Sequence, residues 1–242
     1  MKNVVFGPIK SRRLGWSLGV DLLPHKTCNL DCVYCECGST TDLTNIRKDF
    51  YDPEYVLSQI DDAVLKADKI DYITFSGNGE PSLYKNIKKI VKGIKSRHPE
   101  IKVAFLTNST LFTDRDVYEA LLEADIVLPS VDSVLEKGFK LINRPHRDLR
   151  LKDIMASLLK FRKDYKGTLW AEVFICPGIN DTDEELQALR EYLLKLSPDK
   201  VQVNSLDRAG AEKWVRPMNS DELKKVLDAF KGLPVEVVAR KS

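Results

Sequence analysis

No stretch of this 242-residue chain comes near the ~18 consecutive apolar residues that a membrane-crossing helix requires, which excludes a helical span. The opening residues, MKNVVFGPIKSRRLG, hold no apolar segment followed by a small-residue cleavage site, so nothing there reads as an export signal. A cytoplasmic, reducing setting is the expectation. Charge of one sign is also missing. The 38 Lys and Arg stand against 36 Asp and Glu, a net of +2, which argues neither for nor against a nucleic-acid partner. No repeat, low-complexity tract or linker divides the sequence. Residues 1–242 are therefore expected to form one domain, with a core over about 17–208 and a C-terminal helix and strand over 220–240. Cysteine is scarce, at five residues, yet Cys28, Cys32, Cys35 and Cys37 crowd together and only Cys176 stands apart. In a reducing compartment such crowding speaks for metal binding or redox chemistry rather than disulfides.

What the chain has in quantity is alternation. Short apolar, β-branched runs at Leu18–Leu23, Tyr72–Ser76, Val103–Thr107, Ile126–Pro129, Leu169–Ile175, Val201–Asn204 and Val235–Ala239 read as strands. Between them apolar residues recur at helical spacing. Asp52 and Pro53 supply an N-cap and a first-turn proline for a helix burying Val56, Ile60, Val64 and Ala67. Ile87, Ile90, Val91 and Ile94 mark a second helix. Thr113 is expected to start a third, with Val117, Ala120, Leu121 and Ala124 inward, and Ile154, Leu158 and Phe161 mark a fourth. Thr182 and Glu185 read as a capping box for a fifth, carrying Leu186, Leu189 and Leu193. Ser220 is expected to begin a sixth, with Leu223, Val226, Leu227 and Phe230. Strand–helix units with short connections imply a parallel sheet. An open (β/α)6 barrel and a doubly wound sheet are both compatible with six of them.

Each strand is followed by a polar loop, and in a parallel sheet all these loops lie on one face. Turn and cap chemistry accounts for much of their Gly, Pro, Asn, Asp and Ser content. It does not account for the cysteines after the first strand. Three thiolates spaced as Cys28, Cys32 and Cys35 can wrap an iron–sulfur cube, each binding one iron and leaving the fourth open. A zinc site would instead use all four clustered cysteines, with His25 in reserve. Zinc ligands, however, usually come as two separated pairs. Cys37 is read as a neighbour rather than a ligand.

The CxxxCxxC run with Tyr34 before its last cysteine, followed after the next apolar strand by Gly77, Asn78, Gly79, Glu80 and Pro81, resembles the radical SAM superfamily. The resemblance implies an α/β fold of partial (β/α)6 TIM-like barrel type, with a [4Fe–4S] cluster on Cys28, Cys32 and Cys35 and S-adenosylmethionine (SAM) on its open iron. It implies reductive cleavage of SAM to methionine and a 5′-deoxyadenosyl radical, with an electron donor such as flavodoxin or ferredoxin as partner. Gly77, Asn78, Gly79 and Glu80 match the superfamily's GGEP stretch, with Asn78 replacing a glycine, so Glu80 would hold the methionine ammonium. By the same resemblance Tyr34, Asn108, Ser109, Ser130 and Asp132 would serve the ribose and carboxylate, and Pro177 and Gly178 the adenine.

The substrate is less defined. The N-terminal run from Gly7 to Gly15, the cysteine loop and the INRPH stretch ending at His146 look most like small proteins related to the tRNA wyosine-base synthases. Those synthases use further cysteines upstream, and this chain has none before Cys28 and no lysine-rich extension. A glycyl-radical activase of a partner protein resembles the same core in size, and a non-catalytic iron–sulfur or zinc module is a third reading. Arg144 and His146, with Arg12 and Arg13, are the candidate substrate contacts, because arginine suits phosphate and carboxylate groups. A small anionic molecule, an RNA or a protein is the expected substrate.

Overall fold

The computed structural model describes residues 3–11 and 13–238. Strands β1 (Val5–Ser11), β2 (Gly15–Val20), β3 (Thr27–Cys28) and β4 (Asp42–Leu43) precede helix α1 (Pro53–Lys66). Then follow β5 (Tyr72–Phe75), α2 (Ile87–Arg97), β6 (Lys102–Thr107), α3 (Arg115–Leu122), β7 (Ile126–Pro129), α4 (Glu136–Asn143) and α5 (Leu151–Asp164). The chain closes with β8 (Thr168–Phe174), α6 (Asp183–Leu196), β9 (Lys200–Asn204), α7 (Ser220–Ala229) and β10 (Val235–Val238).

The main sheet runs β1-β2-β5-β6-β7-β8-β9-β10, antiparallel between β1 and β2 and parallel from there on. A doubly wound sheet reverses its order at a switch point. Here spatial order follows chain order throughout, so right-handed crossovers stack every helix on one face and the sheet curls into an open, partial barrel. That decides between the two architectures the sequence left open. The large apolar core lies between sheet and helices, where Ile60, Ile90, Val117, Leu158, Leu189 and Val226 meet the outward side chains of the strands. All of β7 is buried, as expected of a parallel strand covered on both faces. A smaller apolar cluster of Leu14, Ala104, Ile126 and Leu128, with Tyr72, Leu106 and Trp170 packed on it, fills the inner side of the curl.

Local chemistry explains the boundaries and corrects several of them. Asp52 accepts from the backbone N–H groups of Glu54 and Tyr55, which caps α1 as expected. The cap of α3 is Asp114, not Thr113, since the Asp114 carboxylate takes the N–H groups of Asp116 and Val117. Thr182 does cap α6, but Glu185 does not complete a box. Its carboxylate accepts instead from the Ser133 hydroxyl at 2.8 Å. The reciprocal box belongs to α7, between Asn219 and Glu222, and the helix begins at Ser220 as expected. The first parallel strand is Gly15–Val20, and Asp21 to Leu23 leave the sheet towards the cysteine loop.

Four elements fall outside the strands and helices expected from the sequence: β1, the two-residue strands β3 and β4, and helix α4. Strand β1 carries Gly7 and Pro8 in its middle, which read as a breaker but are tolerated on an edge strand. Helix α4 contains Gly138, a weak helix former. An added Cβ there would meet Glu185 Oε1 at 2.3 Å, so packing against α6 requires the glycine. The expected end of the last strand at Ala239 lies outside the described residues.

Candidate active site

The cysteine loop has almost no regular structure, yet its backbone is fastened on every side. The β3–β4 ladder closes its base, and the Lys26 carbonyl accepts from Thr41 and Asp42 N–H groups, both at 3.1 Å. Asp31 and Val33 donate to the carbonyls of Asn143 and Ile142 at 2.9 Å, tying the loop to the end of α4. Val33 also accepts from Glu212 N–H at 2.9 Å, so the segment after β9 packs over it. Its side chain is buried beside Ile142, Phe174, Cys176 and Val215. Cys28, Cys32 and Cys35 are half-buried, Cys37 is exposed and Cys176 is buried.

Each of the three motif thiols faces one side-chain N–H donor. Asn108 Nδ2 lies 3.6 Å from Cys28 Sγ, Asn143 Nδ2 3.4 Å from Cys32 Sγ, and Lys26 Nζ 2.6 Å from Cys35 Sγ. Burial pushes the Cys28 thiol up to about 12 and the Cys32 thiol well above its usual value. Cys35 goes the other way, because the Cys37 thiol and the Lys26 ammonium both donate to its sulfur. Cys37 is correspondingly raised, and its Sγ sits 3.5 Å from the Gly77 carbonyl. A zinc site needs ligands converging on one ion. Among the described residues no three His, Cys, Asp or Glu side chains do so.

The loop after β5 is pressed directly on the cysteine strand. Glu80 N–H donates to the Thr27 carbonyl at 3.1 Å, and a Cβ on Gly79 would fall 1.8 Å from that oxygen. Gly77 has φ 151°, and a Cβ there would meet Asp21 Cγ at 2.4 Å. Asn78 is turned to Asp21, donating to Oδ2 at 2.6 Å. Glu80, only 3% exposed, accepts four bonds: Oε1 from Ser82 N–H, Ser82 Oγ and Thr107 Oγ1, and Oε2 from Asn108 N–H at 2.7 Å. Its carboxylate thus joins the ends of β5 and β6, and Oε2 retains one acceptor position. Burial raises its pKa despite these donors.

The neighbouring strand ends form a second network. Tyr34 stacks on Phe174 with centroids 3.9 Å apart and donates its hydroxyl to Asp132 Oδ2 at 2.6 Å. Asn143 donates to the same oxygen at 2.7 Å, and Phe174 N–H to Oδ1 at 3.0 Å. Asp132 therefore links the cysteine loop, α4 and β8. Ser109 is fully buried at φ 70°, a strained angle for serine, and gives its hydroxyl to the Ser130 carbonyl at 2.9 Å. Asn108 also reaches Asn29 Oδ1 at 2.7 Å. Pro177 and Gly178 form a turn after β8, in which the exposed Gly178 donates to Asp181 Oδ1 at 2.7 Å.

A cavity of about 320 Å³ opens beside the cysteine loop; of the three motif cysteines only Cys35 lines it, and Gly77, Asn78, Gly79, Glu80, Asn108, Ser109, Pro177 and Gly178 do not. Tyr34, Cys35, Cys37, Ser130 and Asp132 line it together with Arg13, Glu172, Phe174 and Asn204. Arg13 is ion-paired with Glu172, whose Oε1 also accepts from Asn204 Nδ2 at 2.8 Å. The Asn204 side-chain oxygen is buried with no hydrogen-bond partner. Arg144 and His146 are not on this cavity. Arg144, at φ 43° just after α4, pairs with Glu212 at 2.6 Å and Asp31 at 3.8 Å, pinning the outer side of the cysteine loop. His146 hangs on the Asn29 carbonyl through its N–H and accepts from Asp148 N–H at 3.4 Å. Arg12 lies outside the described residues. Sequence reasoning missed Asn143, Glu172 and Asn204. Asn143 is the last residue of α4, a short helix containing Gly138, and the other two look like alternating strand residues until the sheet curls.

The profile of the Radical SAM superfamily matches residues 22–193, a span running from before the cysteine loop to α6. The chain belongs to the radical SAM superfamily. A UPF0026 protein of Methanocaldococcus jannaschii is 40% identical over 230 residues, which are 94% of this chain and 71% of that protein. A UPF0026 protein of Helicobacter pylori strain J99 is 35% identical over 240 residues, 98% of this chain and 77% of that one. A Brachyspira hyodysenteriae protein named GTPase Obg is 38% identical over 226 residues, and the chain spans 33% of its length. Among solved structures, a radical SAM methyltransferase from Sphaerobacter thermophilus superposes at TM-score 0.68 with 16% identity, over 93% of this chain and 67% of that one. TYW1 with a lysine-pyruvate adduct bound superposes at TM-score 0.65 with 14% identity, over 88% and 72%. At these identities the likeness shows the fold.

Radical SAM proteins bind a [4Fe–4S] cluster and SAM, and these are the cofactors of this chain. The donor set fits them. Three half-buried thiols on one loop, each opposite an N–H donor, suit a cube in which every thiolate takes its own iron. Metal binding would release the protons that burial favours on Cys28 and Cys32, while hydrogen bonds already hold Cys35 low. The chain is accordingly an enzyme of the radical SAM class, which requires a reductant and a substrate. Among the described residues no helix is long and apolar enough to cross a membrane.

Proposed function

We propose that this radical SAM enzyme holds its cluster on Cys28, Cys32 and Cys35 and cleaves SAM against a substrate seated over Arg13, Glu172 and Asn204. The observation that carries the reading is the shared cavity between the cysteine loop and the curled sheet. When bound, the cluster supplies an electron to the sulfonium and SAM supplies a 5′-deoxyadenosyl radical that abstracts hydrogen from the substrate. The protein's part is to place and shield the reacting atoms. The Gly77–Glu80 loop offers the methionine ammonium a backbone carbonyl edge and the remaining acceptor position of Glu80 Oε2. Tyr34, held by Asp132 and stacked on Phe174, forms a rigid wall beside Ser130 for the nucleoside part. Asn108 and Ser109 tie the end of β6 to the ends of β5 and β7 through Glu80 and the Ser130 carbonyl, and Pro177 and Gly178 are assigned to the adenine by the family resemblance alone.

On the wall formed by Arg13 and Glu172 the arginine already carries a carboxylate, which a bare anion would have to displace. A neutral or zwitterionic polar group, able to donate to the Asn204 oxygen while meeting the ion pair, matches that wall better. A reductant of the flavodoxin or ferredoxin type would deliver the electron. The test is anaerobic reconstitution with iron and sulfide, addition of dithionite and SAM, and assay of 5′-deoxyadenosine. Formation of 5′-deoxyadenosine is the expected result. Absence of the product from a protein that binds zinc and no iron would overturn the reading.

A further inference from the structure

We propose that Lys26 sets the reduction potential of the cluster, as the one cationic member of a set of three N–H donors assigned one to each ligand sulfur. The proposal rests on the cluster assignment above and goes beyond it. The donors come from three separate parts of the fold: Lys26 from the entry to β3, Asn108 from the end of β6 and Asn143 from the end of α4. None of them is a ligand, and none is adjacent in sequence to the sulfur it faces. Two are neutral amides at 3.6 and 3.4 Å, whereas the Lys26 ammonium stands at 2.6 Å from Cys35.

Each donor is held by other bonds. Asn108 is fixed through Asn29 and Thr110, and Asn143 through Asp132. Lys26 is anchored by its own carbonyl, which accepts from Thr41 and Asp42 N–H groups and the Thr41 hydroxyl. Its charge is directed at sulfur, for its electrostatic neighbours are Cys35, Cys28 and Cys37. It is half-buried, so water screens the contact only in part.

The physical consequence follows from charge. Three thiolates make the site anionic, and reduction adds a further negative charge. A hydrogen bond to a ligand sulfur stabilises the reduced form more than the oxidised one and raises the potential, and a charged donor does so more strongly than an amide. Radical SAM chemistry needs a low potential. Lys26 therefore limits how low the cluster sits and keeps it within reach of its reductant, while the two asparagines make smaller adjustments.

The experiment is an EPR-monitored redox titration of the anaerobically reconstituted full chain, with iron and sulfide determined on the same samples. Lys26→Met is expected to keep a full cluster but to lower the ratio of reduced to oxidised cluster at least tenfold at the wild-type midpoint. That corresponds to a downward shift of about 59 mV for one electron. Lys26→Arg, which retains charge and donor, is expected to stay within threefold of wild type, and Asn143→Ala to fall between the two. An unchanged or raised potential in Lys26→Met with a full cluster would overturn the proposal. So would equal shifts in Lys26→Met and Lys26→Arg. Lys26→Gln guards against simple loss of the site. Loss of iron from both Lys26→Met and Lys26→Gln would show that Lys26 holds the cluster rather than tunes it, and would equally overturn it. A wild-type protein that binds no iron refutes the cluster assignment itself, which is a distinct failure.

Discussion

The same strands build two unlike regions a few residues apart. At one level of the curled sheet, Leu14, Ala104, Ile126 and Leu128 form an apolar floor with no polar side chain to satisfy. Further on, the loops after β6 and β7 carry Asn108 and Asp132 and β8 itself carries Glu172, each held by designated partners. The floor is stabilised by non-directional burial and tolerates imperfect geometry at a graded cost. The mouth is specified by directional bonds and fails sharply when one partner is lost, because a buried donor or acceptor is then left alone.

The contrast can be broken first where it is sharpest. Cys32→Ala is expected to abolish both iron binding and 5′-deoxyadenosine formation, with the floor unaffected and urea unfolding still cooperative. A variant retaining a full cluster would contradict the ligand assignment. Next, Leu128→Ala in the floor is expected to cost about 2–5 kcal/mol in anaerobic urea unfolding. Iron per folded molecule should be unchanged, and a parallel loss of iron would show that the two regions are coupled. Asp132→Asn comes third. It places an amide against the Tyr34 hydroxyl, Asn143 amide and Phe174 N–H, all of which donate to it now, and should cost about 1–3 kcal/mol by the same measurement.

The smallest effect separates the mouth from the outer surface by sign. Burial raises Glu80 above the usual carboxylate range, so its contribution to stability is greatest at low pH and is lost as pH rises through its folded value. Hydrogen bonds from Lys88 and Arg115 hold the surface residue Glu119 down at about 2. Its contribution is present above the ordinary value of 4.5 and is lost as pH falls towards 2. Glu80→Gln and Glu119→Gln are therefore expected to flatten opposite sides of the stability–pH curve. The Glu119 effect should be slight, since the pair is solvent-screened. Effects on the same side would refute the burial argument for Glu80.

Much of this was legible beforehand, for identifiable reasons. Strands β5 to β9 and helices α1, α2, α3, α5 and α6 announce themselves because burial on one or both faces forces a repeating apolar pattern. The cysteine run and the Gly77–Glu80 stretch were readable because few other structures require those residues at that spacing. The start of α3 reads as Thr113 from the sequence and falls at Arg115 in the fold, because Thr113 and Asp114 can both cap and only the folded backbone selects Asp114. Arg144 looked like the better substrate arginine, being in a restrained loop after a strand. The fold instead gives Arg144 two carboxylates outside the cavity and brings Arg13 into it.

By itself the sequence determined the alternation of elements, the CxxxCxxC run of three clustered thiols and the glycine-bearing loop beside them. These depend on residue type and local spacing, which a linear chain carries. Only the tertiary structure decided the strand order, the pairing of Arg13 with Glu172 and the assignment of Lys26, Asn108 and Asn143 to one sulfur each. Such contacts join distant segments, and their partners become defined when the sheet curls and its strand ends converge.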